Sequence, residues 1–333
     1  MVNPRSVFLA GTLAVLSGCQ TNPFAYFATS TSVNLSVANL AQIDKKYGHY
    51  AAWAMGTGGE ATLIGRFLVG PDGNPTDLAG KFTPSWTAAV GLAAISEIWL
   101  TQELPGATGT APSKQVFMKG ALGAVKPGTA YLAAPITYED FAAANGTFVL
   151  DNPAFLPKWP NLWNGLWFEK LARDSAGNIT RRSPGLDLPP LPQGWAYSGW
   201  VILPGGIPLR TGKFRDPADN DDWAGYTGLN SVSLPVNFPG PPMPGEDFNV
   251  NLPAGVDTGS LDPKVATDSN KPDLAGSRVI VAIDNAALNN EDQYPGPIRV
   301  LEGTVPASTS QNLMEALQNV AAKGIPSGKA EIQ

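Results

Sequence analysis

The chain has 333 residues, one cysteine, one histidine and a net charge of −6, with charged residues at 15 %. That balance offers no basic field to hold phosphates, which points away from nucleic acid; one cysteine excludes a disulfide-stapled scaffold, and the length makes two domains the expectation. Thirty-one prolines and 36 glycines without a collagen period break helices, while nine tryptophans and 13 phenylalanines supply bulky core, a composition suited to strands joined by long turns.

At the N-terminus Arg5 precedes a short apolar run, Val7 to Leu16, which closes on Leu16-Ser17-Gly18-Cys19. A run that short cannot span a bilayer as a helix, which takes about 20 residues. The pattern resembles the signal peptide and lipobox of bacterial lipoproteins, in which the small-residue site is cut and the cysteine becomes the lipidated first residue. The resemblance implies that residues 1–18 are removed, that Cys19 carries the membrane anchor, and that residues 19–31, with Asn22-Pro23, form a tether. It also implies an extracytoplasmic address. Gln20 stands where an aspartate retains enterobacterial lipoproteins at the inner membrane, so the outer membrane or the cell surface is expected.

Further along, two segments repeat one another. Tyr50, Trp53, Gly65, Phe67 and Asp72 recur as Tyr197, Trp200, Gly212, Phe214 and Asp219, with twelve steps from Trp to Gly and five from Phe to Asp in both. Asp77-Leu-Ala-Gly80 recurs as Asp273-Leu-Ala-Gly276, and Ile98 to Gly120 is set opposite Val281 to Gly303 at equal spacing. The apolar runs are short, β-branched or aromatic, and bounded by turn residues, as in Trp200-Val-Ile-Leu203 before Pro204-Gly-Gly206. Tyr50 and Trp53, three apart, fall on opposite faces of a strand. Gly followed two residues later by Phe suits a bulge or close approach beside a core anchor. The expected fold is all-β: two tandem Ig-like β-sandwich domains related by internal duplication, with copy one at 32–135, a junction at 136–145 and copy two at 146–306. In copy two Leu166-Trp-Phe168 and Ile179-Thr180 are expected to pair across the turn Ser175-Ala-Gly-Asn178. Within 307–333, Leu313, Leu317, Val320 and Ala321 follow helical spacing between Ser310 and Gly324, predicting a C-terminal helix.

Four stretches of copy two carry a second resemblance: Pro184-Gly-Leu-Asp-Leu-Pro-Pro-Leu-Pro192, Trp195-Ala-Tyr-Ser-Gly-Trp200, Thr211-Gly-Lys-Phe214 and Pro244-Gly-Glu-Asp-Phe248. They are distantly similar to the extracytoplasmic domain of anti-sigma-K factors. The resemblance implies a β-sandwich outside the cytoplasm and, as one alternative, a sensor or inhibitor module.

Candidate chemistry is sparse. Asp216, Asp219, Asp221 and Asp222 could supply hard oxygens to calcium or form a solvated turn. His49, the sole histidine, with Met55 or Tyr50, is the candidate for a reduced copper site of a superoxide dismutase-like envelope redox enzyme, against an ordinary edge histidine. Asp257-Thr-Gly-Ser260 matches half of an aspartic protease site, with no second half in the chain. Trp159, Trp163 and Trp167 step by four and suit either a binding stripe or packing. The leading expectation is a lipid-anchored envelope protein that binds an envelope or surface-layer protein or builds a surface assembly, with the redox enzyme and the sensor module as alternatives.

Overall fold

The computed structural model of the protein describes residues 30–91, 94–123, 127–153, 162–227, 242–257, 271–287 and 293–333. Cys19 and the tether before Ser30, Trp159, Phe238 to Pro241 of the proline-rich stretch, and Thr258-Gly259-Ser260 lie outside the described residues.

Alternating β-branched and aromatic residues form antiparallel strands throughout. In chain order the first are β1 (Thr31–Ala38), β2 (His49–Gly56), β3 (Ala61–Val69), β4 (Pro75–Thr76), β5 (Ser85–Ala88), β6 (Ile95–Glu103), β7 (Val116–Ala121) and β8 (Gly128–Ala133). Then follow β9 (Asn145–Asp151), β10 (Gly165–Trp167), β11 (Glu169–Arg173), β12 (Ile179–Pro184), β13 (Leu186–Asp187), β14 (Trp195–Ile202), β15 (Pro208–Phe214) and β16 (Gly245–Asp247). The chain ends with β17 (Arg278–Asn285), β18 (Ile298–Thr304), β19 (Leu313–Asn319), the helical turn α1 (Ala321–Gly324) and β20 (Ser327–Ile332).

One sheet runs β4-β3-β2-β6-β7-β8-β20-β1-β5 and the other β15-β14-β17-β18-β19-β9-β10-β16, with β13 beside β9; β11 and β12 make a separate hairpin. Each sheet curls so that its ends approach. In the first, Phe67 of β3 meets Trp86 of β5 at 6.0 Å between ring centroids, and in the second, Phe214 of β15 meets Phe168, just after β10, at 6.3 Å. The result is a pair of all-β sandwich-like bodies sharing one continuous apolar core.

The internal repeat is written into the strand register. Tyr50 pairs with Phe67, Ala52 with Gly65 and Trp53 with Leu63, skipping Ile64. Tyr197 pairs with Phe214, Gly199 with Gly212 and Trp200 with Arg210, skipping Thr211. Both hairpins therefore carry the same bulge at the same place, and a bulge is a specified feature that bends and re-aims a strand. A Cβ on Gly65 would lie 2.1 Å from the Trp86 ring, and one on Gly212 would lie 2.1 Å from the Asp221 carboxylate, so each glycine makes room for a covering group. Tyr50 faces the large core, and Trp53, on the opposite face, is also fully buried, against Ala51, Met55, Leu63 and Trp99.

The repeat continues on the neighbouring strands with one correction. Trp99 opposes Trp53 and Ile280 opposes Trp200, so Ile98 corresponds to Val279 and not to Val281. Gly120 does correspond to Gly303, each opposite that pair, and a register shift follows Leu100 and Val281 alike. The β17–β18 connection is thus two residues longer than that of β6–β7. A two-residue slip preserves every side-chain face, which is why hydrophobic alternation alone does not reveal it.

Two further expectations change. The turn at Ser175 to Asn178 joins β11 to β12, with Asp174 accepting the Ala176 and Asn178 N–H groups, while Leu166-Trp167 sits in β10 between β9 and β16. The C-terminal helix exists only as the four residues of α1. Asn312, at φ 60°, sits where the helix was expected to run; Leu313 to Leu317 instead pair with β9, and Ser327 to Ile332 join the first sheet. Open strand edges supply ladder hydrogen bonds that outweigh a weak helical preference.

Candidate functional site

The structure disperses most residues singled out by the sequence. His49 is buried at the start of β2 across from Glu103, its Nε2 meeting no partner; burial holds its imidazole below the usual range, opposed by Glu103 and helped by Arg66. Asp216 accepts the Ala218 N–H at 2.9 Å, Asp222 accepts the Lys213 N–H at 2.8 Å, and Asp219 is exposed. Asp221 turns inward and takes the N–H groups of Trp223 and Gly245 at 2.9 and 2.8 Å. These carboxylates pin backbone, and among the described residues no group of three or more His, Cys, Asp or Glu is placed to hold a metal ion. Trp163 donates to Thr309 at 3.2 Å and Trp167 to Asp247 at 2.9 Å, and because Trp167 lies on strand β10 the two do not form a helical stripe. Asp257 is an exposed partner of Lys271, at 2.8 Å.

Sequence reasoning missed a buried polar constellation in the second body, between its sheet and the β11–β12 hairpin. Arg182 of β12 bonds Glu169 and reaches Asp151 at 2.9 Å and Asn312 at 2.6 Å. Nearby, Asn152 donates to Asn164 at 2.6 Å and to Asn249 at 2.8 Å. Glu246 accepts the Thr227 hydroxyl and the Asp247 N–H. Burial pushes Glu169 up to about 7, against the pull of Arg182, and Glu246 up to about 9, with Asp221 and Asp247 adding to the rise; Asp221 itself is held well above the carboxylate range by burial. Glu246 is therefore a neutral acid at pH 7. No short motif announces such a cluster, because its members come from six separate stretches of chain.

Each copy also holds a relay from tryptophan to carboxylate. Trp53 Nε1 donates to Thr101 Oγ1 at 2.9 Å, and the Thr101 hydroxyl donates to Glu103. Trp200 Nε1 donates to Ser198 Oγ at 2.9 Å, and the Ser198 hydroxyl donates to Asp284. The hydroxyl changes strands: Ala51 faces Thr101 in copy one, and Ser198 faces Ala282 in copy two. One hydroxyl per cross-strand pair satisfies the buried indole, and either strand can supply it.

The second relay reaches the other body. Gln115 Nε2 donates to Asp284 at 2.8 Å, the Asn285 N–H donates to Gln115 Oε1 at 3.0 Å, and Asn285 Nδ2 donates to the Lys114 carbonyl at 2.8 Å. Tyr47 stacks on Tyr294 at 5.6 Å. These contacts bind the two sheets together. At the same junction Trp99, Val116, Met118, Lys119, Ala134, Pro135 and Trp195 line an open cleft of about 430 Å³. Both tryptophans are half-buried, Trp99 with its Nε1 tied to Glu97 at 2.7 Å, so apolar ring surface is presented with the polar handle already satisfied. A concave apolar site of this size between bodies is where ligands and partner side chains dock.

No protein-family model, curated protein or solved structure matches this chain.

Proposed function

We propose that this is a lipid-anchored protein of the bacterial envelope, at the outer membrane or cell surface, that acts by binding an envelope partner through the apolar cleft between its two sandwich bodies. The observation that carries the binding is the cleft itself: two half-buried tryptophans from different bodies converge on it, held by the Gln115 and Tyr47 contacts. Large aromatics on a pre-organised surface give contact area at small entropic cost, which is how binding surfaces concentrate their energy. The partner that fits presents apolar side chains in an extended segment. The carboxylates of the second body are engaged in holding backbone and Arg182, which favours a structural over a catalytic role for them.

The anchor reading is supported by the Leu16 to Cys19 pattern alone. Cys19→Ser is expected to abolish labelled-palmitate incorporation and release the protein from the membrane fraction; unchanged labelling would end the reading. For the cleft, a photo-crosslinking residue is placed at Lys119, exposed on its rim, or at Lys170, exposed on β11 away from it. In whole cells the Lys119 position should yield one discrete adduct that Trp195→Ala removes. Identical adducts from both positions, or an adduct indifferent to Trp195→Ala, would count against the cleft.

A further inference from the structure

The two sheets close differently at one point. In the second sheet β19 pairs directly with β9, over five positions from Leu313↔Leu150 to Leu317↔Gly146. In the first sheet the corresponding neighbours, β8 and β1, do not pair with each other. Between them lies β20, in six-residue register with β8 (Ser327↔Ala133 to Ile332↔Gly128) and with β1 (Ile332↔Val33 to Ser327↔Ala38). The first sheet is thus built around a slot one strand wide, filled by a segment that arrives from the second sheet.

The slot has the features of a recognition site. Ala330 and Ile332 point into the core at 0 % and 1 % exposure, while Lys329 and Glu331 point outward and pair at 2.7 Å. A Cβ on Gly328 would lie 2.7 Å from the Ser36 carbonyl oxygen, so the slot demands glycine there. Backbone ladders supply affinity and alternate side chains supply specificity, as in other cases of strand addition. The donor strand is β20. It follows the short connection Val320 to Pro326, which is fastened to the second body by the Val320 N–H on the Val300 carbonyl at 3.0 Å and by buried Ala321, and which Asn39 of the first body reaches only through bonds of 3.3 and 3.4 Å to the Ala322 and Ile325 carbonyls.

We propose that the slot between β8 and β1 is a strand-acceptor site that takes residues 327–332 of a second copy of this chain when molecules assemble at the envelope. The same residues fill it in the isolated molecule. The donor strand is connected through β19 to the second sheet while the acceptor edges belong to the first, so the contact is heterologous: the second sheet of one molecule is linked to the first sheet of the next, and successive links build a ring or an open run. Exchange takes place as neighbouring chains fold, before the slot is closed from within. The inference goes beyond the binding reading and does not use the cleft.

The test uses register partners with exposed side chains, Ser36 and Lys329. Full-length chains carrying Ser36→Cys and Lys329→Cys are co-expressed in the same cells under different tags and treated with a short bis-maleimide, and the linked peptides are identified by mass spectrometry. The expected result is a band at twice the chain mass whose 36–329 linkage joins the two tags, and its loss when Gly328→Val, which the slot has no room for, is added to the Lys329→Cys chain. The double variant, Ser36→Cys with Lys329→Cys, reports the strand within one chain, and Asn34→Cys with Glu331→Cys repeats the measurement at a second register pair. Linkage confined to single chains at both pairs would overturn the proposal, as would no 36–329 or 34–331 linkage at all. Trp195→Ala, which removes the cleft adduct, should leave this band unchanged, so the two readings fail separately.

Discussion

A chain ending at Pro326 is expected to lose the cooperative fold of its first sheet. β1 is tied to the rest of that sheet through β20 on one side and to short β5 on the other, so deleting β20 strands the β1–β5 pair and opens two edges. Burial of Ile332 is worth about 1.5–3 kcal/mol. Ladder hydrogen bonds along both flanks add about 0.5–1.5 kcal/mol each. The sum exceeds about 5 kcal/mol, a large share of the ~5–15 kcal/mol that holds a domain together. Hydrogen exchange should show β1 and β8 losing protection while β14 and β17, in the middle of the second sheet, keep theirs. A truncated chain that melts within a few degrees of the full chain would refute the role assigned to β20.

Arg182→Ala is expected to be the most damaging single substitution in copy two. It leaves Asp151 and Glu169, both fully buried, side by side without their shared cation, and breaking a buried pair in this way costs about 3–5 kcal/mol. The loss depends on pH with a definite sign. Glu169 in the folded protein already titrates near 7, above its ordinary 4.5, so between those values the folded state binds more protons than the unfolded one. Stability from this group is present below about 4.5 and is lost as pH rises through 7, and removing Arg182 raises the folded value further. The variant should therefore approach the wild type as pH falls from 8 toward 5, measured by urea unfolding at each pH. A penalty that stays level or grows toward acid would refute the view that the substitution acts by leaving buried carboxylate charge uncompensated.

Much of the first copy's centre was legible from the chain. The spacing of Tyr50, Trp53, Gly65 and Phe67 against Tyr197, Trp200, Gly212 and Phe214 survives because each hairpin is gap-free, and the shared bulge keeps both sets in register. Ile98 was set against Val281 instead of Val279 because a slip of two keeps every face in place. Asp77-Leu-Ala-Gly80 and Asp273-Leu-Ala-Gly276 both make Asx turns, with Asp77 capping Ala79 and Asp273 capping Ala275, yet one precedes β5 and the other β17, so that match is local chemistry rather than shared position. The cleft was illegible: Trp99 and Trp195 stand far apart in the chain, and neither belongs to a motif.

What the sequence by itself determined was the all-β class and the doubled hairpin, because turn residues, β-branched runs and repeated spacings are local and leave a readable period. Tertiary structure alone decided where the last strand belongs, which carboxylates are neutral and where two bodies form a cleft. Leu313, Leu317 and Val320 have helical spacing, but β9 offered an unpaired edge, and the slot between β8 and β1 held room for six more residues. Which edge is open, and how much water reaches a carboxylate, are properties of distant residues meeting in space, and no window of sequence contains them.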